Sequence, residues 1–251
     1  MNSKLLAILN MAALAGVLAV NALANILPIN GMNTGEVSAL YPSLFTPAGL
    51  TFSVWSIIYL LLIAFVIVQW RVYNMSWFNE LSIWFQVSCV ANMSWIMAWH
   101  YLYVYASVII MLMLLYTLIK IFMLLQKQTF NNVELTFVKL PFTIYFSWIC
   151  VATIANISAL LISLSWHGAP FSEEIWTLIM LTIASILSIY ISIKFNAFGY
   201  PLITMWAFYG IYLRWNNSEH NVIAIVAISF VVILALVFIY RLFQKEIRSA
   251  D

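Results

Sequence analysis

Apolar residues run along this chain in stretches long enough to cross a bilayer, separated by short polar breaks. A span takes about 20 mostly apolar residues, and eight stretches qualify: roughly 5–27, 50–71, 79–100, 102–126, 139–165, 174–194, 198–215 and 221–243. The seventh is the shortest and carries Pro201 near its start. The pattern predicts an all-α polytopic membrane protein of eight transmembrane helices. Cytoplasmic loops collect Lys and Arg, which tests the count. With a cytoplasmic N-terminus, Lys4, Arg71, Lys120, Lys127, Lys139, Lys194, Arg241, Lys245 and Arg248 all fall inside and Arg214 alone falls outside. Omitting any internal span scrambles that alternation, so both termini are expected to be cytoplasmic.

Composition agrees. Of 251 residues, 65% are hydrophobic and 7% are charged, too few charges to cover a soluble body. The net charge of +2 comes from scattered positives, which gives no footprint for nucleic acid. Cys89 and Cys150 sit inside apolar runs and are expected as buried thiols rather than a disulfide framework. Metal-ligand spacings, phosphate loops and nucleophile elbows do not occur. His100, His167 and His220 all fall on the outer side in this topology. No ligand-spaced motif joins them, and solvated interfacial histidines are expected rather than a zinc or haem site. The first span has a rival reading, because Lys4, an apolar run and Ala22-Leu23-Ala24 resemble a cleaved secretory signal over residues 1–24. The run is long for a signal, and Asn10 and Asn21 interrupt it.

The segment from Phe45 to Tyr59 is where a turn becomes a membrane helix. Pro47 fixes its own φ and biases Thr46 away from helix, while Ala48 and Gly49 lack bulk and admit a close neighbour. Phe52, Trp55 and Tyr59 then share one helix face, either a pocket mouth or an aromatic belt. Before them, residues 28–48 combine turn chemistry with Tyr41, Leu44 and Phe45, which suits a structured lid as well as a plain surface loop. In the third span Trp84, Ser88, Asn92, Trp95 and Trp99 form one stripe; in the fifth, Tyr145, Trp148, Ala152 and Asn156 do the same. Asn92, deep in the third span, must face protein or a cavity, as interhelical glue or as a ligand contact. Ala12, Ala15, Gly16 and Ala19 allow close helix packing, within the chain or between subunits. The last three spans carry no comparable stripe, although Trp206, Tyr209 and Gly210 have the chemistry to contact the rest of the bundle.

Three blocks together resemble the TspO/MBR family, the tryptophan-rich sensory proteins that include the mitochondrial translocator protein. Thr46-Pro47-Ala48-Gly49, followed by Trp55 and Tyr59, is similar to the family's Thr-Pro-Pro-Gly segment leading into its second helix. Asn92 and Trp95 resemble its Leu-Asn-x-x-Trp, and Tyr145, Trp148, Ala152, Thr153 and Asn156 resemble the pattern of its fifth helix. Ala48 and Ile144 stand where the family usually has proline. The resemblance covers 1–165 and implies a five-helix bundle there, with 166–251 as three additional helices and a short cytoplasmic tail, a long bacterial form in the cytoplasmic membrane.

What the resemblance implies is a sensor or carrier that binds a porphyrin, another tetrapyrrole or a similar flat apolar ligand. The pocket would lie between helices 1, 2, 3 and 5 under the 28–48 loop. Carried over, Trp55 and Trp148 stack on the ligand, and Asn92, Trp95 and Asn156 support it. Phe52, Tyr59, Tyr145, Pro47 and Gly49 complete the ligand-binding set. No cofactor is obligatory, with protoporphyrin or haem as the bound tetrapyrrole; the partners are the lipid bilayer and a second copy in a homodimer. Some members promote light-dependent porphyrin breakdown; acid–base catalysis is not expected, since the spans hold almost no titratable side chain. The rival readings are a transporter of a small apolar or zwitterionic solute and a ligand-free scaffold. No intramembrane charge and no inverted repeat supports transport.

Overall fold

A computed structural model describes residues 2–166 and 168–250, with side chains as far as Phe243. His167 therefore lies outside the described residues, as do the side chains of Lys245 and Arg248. The helices are α1 (Ser3–Ile26), α2 (Thr34–Ala39), α3 (Val54–Val68), α4 (Phe78–His100), α5 (Val104–Gln126), α6 (Asn132–Glu134), α7 (Leu140–Ser163), α8 (Glu173–Phe195), α9 (Gly199–Trp215) and α10 (Asn221–Ala250). Among the described residues, seven helices are long and apolar enough to cross a membrane. Their exposed positions are large and apolar, including Leu60 and Ile67 on α3, Ile109 and Met113 on α5, and Ile225 and Leu236 on α10. Lipid can cover such a surface and water cannot, so the chain is an integral membrane protein. The predicted seventh span is α9, whose 17 residues reach about 26 Å, short of the roughly 30 Å hydrocarbon core.

The chain forms two compact units. One comprises Met1–Pro42 and Ser53–Leu164; the other comprises Ser43–Phe52 and Ser165–Asp251. Ser43–Phe52 belongs with the C-terminal helices.

In the first unit α1, α4, α5, α7 and α3 form a closed ring in that order, each packing on its two neighbours. Small residues and rings make this possible. A Cβ on Gly16 would lie 3.1 Å from the Met93 sulfur, so Gly16 admits α4 closely, whereas Ala12, Ala15 and Ala19 of the same small stripe are exposed. Phe65, Phe85 and Phe142, all fully buried, meet edge to face at 4.9–5.6 Å and join α3, α4 and α7. Pro141 has no N–H for the carbonyl four residues back, and the chain enters α7 through a wide π turn over Leu135–Lys139. The connection between α4 and α5 is the short turn at Tyr101–Tyr103, with Leu102 at φ 61°.

Several buried polar groups inside the ring pair with one another. The Asn10 amide donates to Gln69 Oε1 at 2.9 Å and Ser82 Oγ at 3.0 Å, and its oxygen accepts from Gln86 at 2.9 Å. Gln69 in turn donates to the carbonyls of Ala7 and Val66. One asparagine thus ties α1 to the end of α3 and to α4.

In the second unit α8, α9 and α10 each pack on the other two. Leu181, Ala207, Phe208, Ile211, Ala224 and Ala227 are buried there. Ser172 caps α8 by accepting from the Ile175 N–H. Asn196 ends it in the left-handed region at φ 52°, and its side-chain oxygen accepts from Arg241 at 2.8 Å.

Asn10→Leu strands the acceptors of Gln69 and Ser82 in an apolar interior. It should cost about 2 kcal/mol, read as a lower unfolding midpoint in detergent with unchanged native helix content.

Candidate functional site

The aromatic faces of α3, α4 and α7 converge inside the first unit, on Trp55. Its ring stacks on Tyr59 at 5.5 Å and on Trp95 at 6.4 Å, and meets Tyr145 at 5.9 Å and Trp148 at 6.2 Å edge to face. Trp95 continues the stack to Trp99 at 5.8 Å, and Trp99 meets Tyr41 at 5.9 Å with the rings tilted by 46°. Trp95, Trp99, Tyr145 and Trp148 are buried, whereas Trp55 and Tyr59 are half-buried. The stripes read from helical spacing therefore do meet, with the least enclosed ring at their centre.

Two chains of hydrogen bonds hold the rings. In one, the Asn21 amide of α1 donates to Asn92 Oδ1 at 2.9 Å, and the Asn92 amide donates to the Tyr145 hydroxyl at 3.0 Å. In the other, Trp95 Nε1 donates to Asn156 Oδ1 at 3.0 Å, and the Asn156 amide donates to Ser107 Oγ at 2.9 Å. Asn92 and Asn156 are thus engaged by protein at both ends of their amides, and both are almost fully buried. Around Trp55 the Tyr59 hydroxyl is buried beside Asn92 without a hydrogen-bond partner of good geometry. Trp84 belongs elsewhere: it meets Tyr116 edge to face at 5.8 Å, with the Lys120 ammonium over both rings.

The loop after α1 closes one end of the unit. His100 ends α4 and is fully buried, not solvated as its interfacial position suggested. Its Nδ1 lies 3.2 Å from the Ile29 carbonyl, which requires a proton on that nitrogen. Its Nε2 lies 3.1 Å from Thr34 Oγ1, a hydroxyl that can donate or accept. Asn30 donates to the His100 carbonyl at 3.0 Å, and Trp99 Nε1 to the Thr34 carbonyl at 3.4 Å. Asn33 and Glu36 cap α2 reciprocally. The burial comes from chain that folds back onto the helix end. The first part of the expected lid, as far as Pro42, is therefore an ordered cover.

The remaining predicted residues, Pro47, Gly49 and Phe52, lie in the segment assigned to the second unit. Of the close approach expected at Ala48 and Gly49, the structure shows the part at Ala48. The Ala48 N–H donates to the Gly210 carbonyl at 3.0 Å, while a Cβ on Gly49 would meet nothing within 4 Å. Sequence reasoning missed Asn21, Ser107 and His100 as structural partners. The signal for each was a polar side chain in or at the end of an apolar span, where it must find a mate.

The family model described as TSPO-like protein matches residues 7–240, a stretch that runs through both units. No curated protein and no solved structure gives a significant match.

His100→Phe removes both ring contacts to the cover. Amide exchange over residues 29–40 should rise about tenfold, equivalent to roughly 1.4 kcal/mol of lost closure, read by hydrogen exchange mass spectrometry.

Proposed function

The chain belongs to the TSPO-like protein family, and from that premise and the rings around Trp55 we propose that it is a membrane binding protein, sensor or carrier, for a flat apolar ligand of the porphyrin class. The carrying observation is the set of four aromatic rings within 5.5–6.4 Å of Trp55. Indole and phenol faces favour a flat, polarizable ring over a flexible chain. Trp55 and Tyr59 are the half-buried members, so the ligand enters on their side and displaces Trp55 from its stack on Trp95.

The polar side of recognition is sparse. Asn92 and Asn156 hold Tyr145 and Trp95 in place, and act on the ligand by fixing those rings. The Tyr59 hydroxyl remains to take one hydrogen bond. A ligand with an apolar disc and few inward-facing polar atoms fits this supply; a zwitterion buried in the same place would leave charge unpaired.

Titrating protoporphyrin into the purified protein should quench tryptophan fluorescence saturably. The Trp55→Phe, Trp148→Phe double variant should weaken the apparent affinity about tenfold or more while remaining folded. Equal, saturable quenching in both proteins would place the ligand elsewhere. No saturable quenching in either would remove the porphyrin class and favour a ligand-free scaffold.

A further inference from the structure

Trp84 of α4 and Tyr116 and Lys120 of α5 form a cluster of their own, wholly within the first unit and apart from the rings around Trp55. Trp84 and Tyr116 meet edge to face at 5.8 Å. The Lys120 ammonium lies 5.9 Å from the Trp84 ring centre and 5.5 Å from that of Tyr116. Tyr116 and Lys120 are exposed and Trp84 is half-buried. Ile83 and Val87 on α4, and Leu112 and Met123 on α5, are exposed apolar side chains around them, so the cluster faces lipid.

Depth and direction set Lys120 apart from a lysine that reaches for water. Lys120 precedes the end of α5 at Gln126 by about 9 Å along the axis, and Trp84 follows the start of α4 at Phe78 by the same span. The three side chains therefore share one level, on the side of the membrane that the Lys and Arg distribution predicts to be cytoplasmic. Helical side chains lean toward the N-terminus of their helix. Lys120 accordingly folds back over Tyr116, one turn earlier, toward the bilayer interior. Among the described residues Lys120 has no ion pair, and neither has Glu80, one turn before Trp84 on α4. The Trp84 N–H and the Tyr116 hydroxyl have no hydrogen-bond partner among the described residues. Aromatic faces offset only part of the cost of a charge beside hydrocarbon. An anion must offset the rest, and on a lipid-facing surface phospholipid phosphates supply it. An ammonium, an indole N–H and a phenol O–H suit the oxygens of a phosphodiester.

We propose that Trp84, Tyr116 and Lys120 form a binding site for the phosphate of an anionic phospholipid. The lysine pairs with its charge, and the two rings hold the lysine at that depth. A choline headgroup fits less well, because its cation would lie beside Lys120. The site is independent of any ligand at Trp55.

The test is native mass spectrometry of the full chain, stripped of lipid in mild detergent and titrated with phosphatidylglycerol or phosphatidylcholine. The first phosphatidylglycerol should bind the parent more tightly than the first phosphatidylcholine. Lys120→Gln should weaken phosphatidylglycerol about fivefold, with helical circular dichroism unchanged. Lys127→Gln, at the end of the same helix and without the rings, should leave it unchanged. Trp84→Leu removes a ring and no charge, and should weaken phosphatidylglycerol in the same direction; it carries the test should Lys120→Gln fail to fold. No preference for phosphatidylglycerol in the parent would overturn the site, as would a preference that Lys120→Gln and Trp84→Leu leave intact. Equal weakening by Lys120→Gln and Lys127→Gln would also overturn it, by showing a general effect of surface charge.

Discussion

A polar side chain inside hydrocarbon has no water to turn to, so it must end on another residue of the same chain. The first unit is arranged around that constraint. Asn21, Asn92 and Tyr145 connect α1, α4 and α7 in one line of hydrogen bonds; Trp95, Asn156 and Ser107 connect α4, α7 and α5 in another. Apolar contacts are weakly specific when lipid is as good a neighbour as another helix. The amides supply the register. They set which faces of α4 and α7 look inward, and the rings on those faces follow.

Those rings then meet α3 at Trp55. The hydrogen bonds engage the Tyr145 hydroxyl and the Trp95 Nε1, and the rings pack on one another. Of the two functions of the amides suggested by the sequence, the hydrogen bonds of Asn92 and Asn156 show helix pairing.

Much of this was legible in the chain. The apolar runs located the long helices, and the spacing from Trp55 to Tyr59, from Asn92 to Trp99 and from Tyr145 to Asn156 marked the faces that converge. The placement of α9 was also readable, although its 17 residues make it a short span. The partner of Asn10 could not be read, because pairing across 59 residues to Gln69 leaves no local pattern. His100 looked interfacial from its place at a helix end, and only the fold of Ile29–Ala39 onto it shows the burial. The packing of Ser43–Phe52 against Gly210 was the least visible feature. Pro47 and Gly49 announced a turn, but the glycine that makes room for it is Gly210, more than 150 residues later.

The most direct measurement of whether Trp55 is the binding ring is fluorine NMR of the protein labelled uniformly with 5-fluorotryptophan, with the Trp55, Trp95, Trp148, Trp206 and Trp215 signals assigned by single substitution. Protoporphyrin should shift the signals of Trp55, Trp95 and Trp148 saturably and at a common midpoint, with Trp55 moving most. A Trp55 signal that stays in place while other tryptophans shift, or a small uniform drift of all of them, would contradict a ligand seated on that ring.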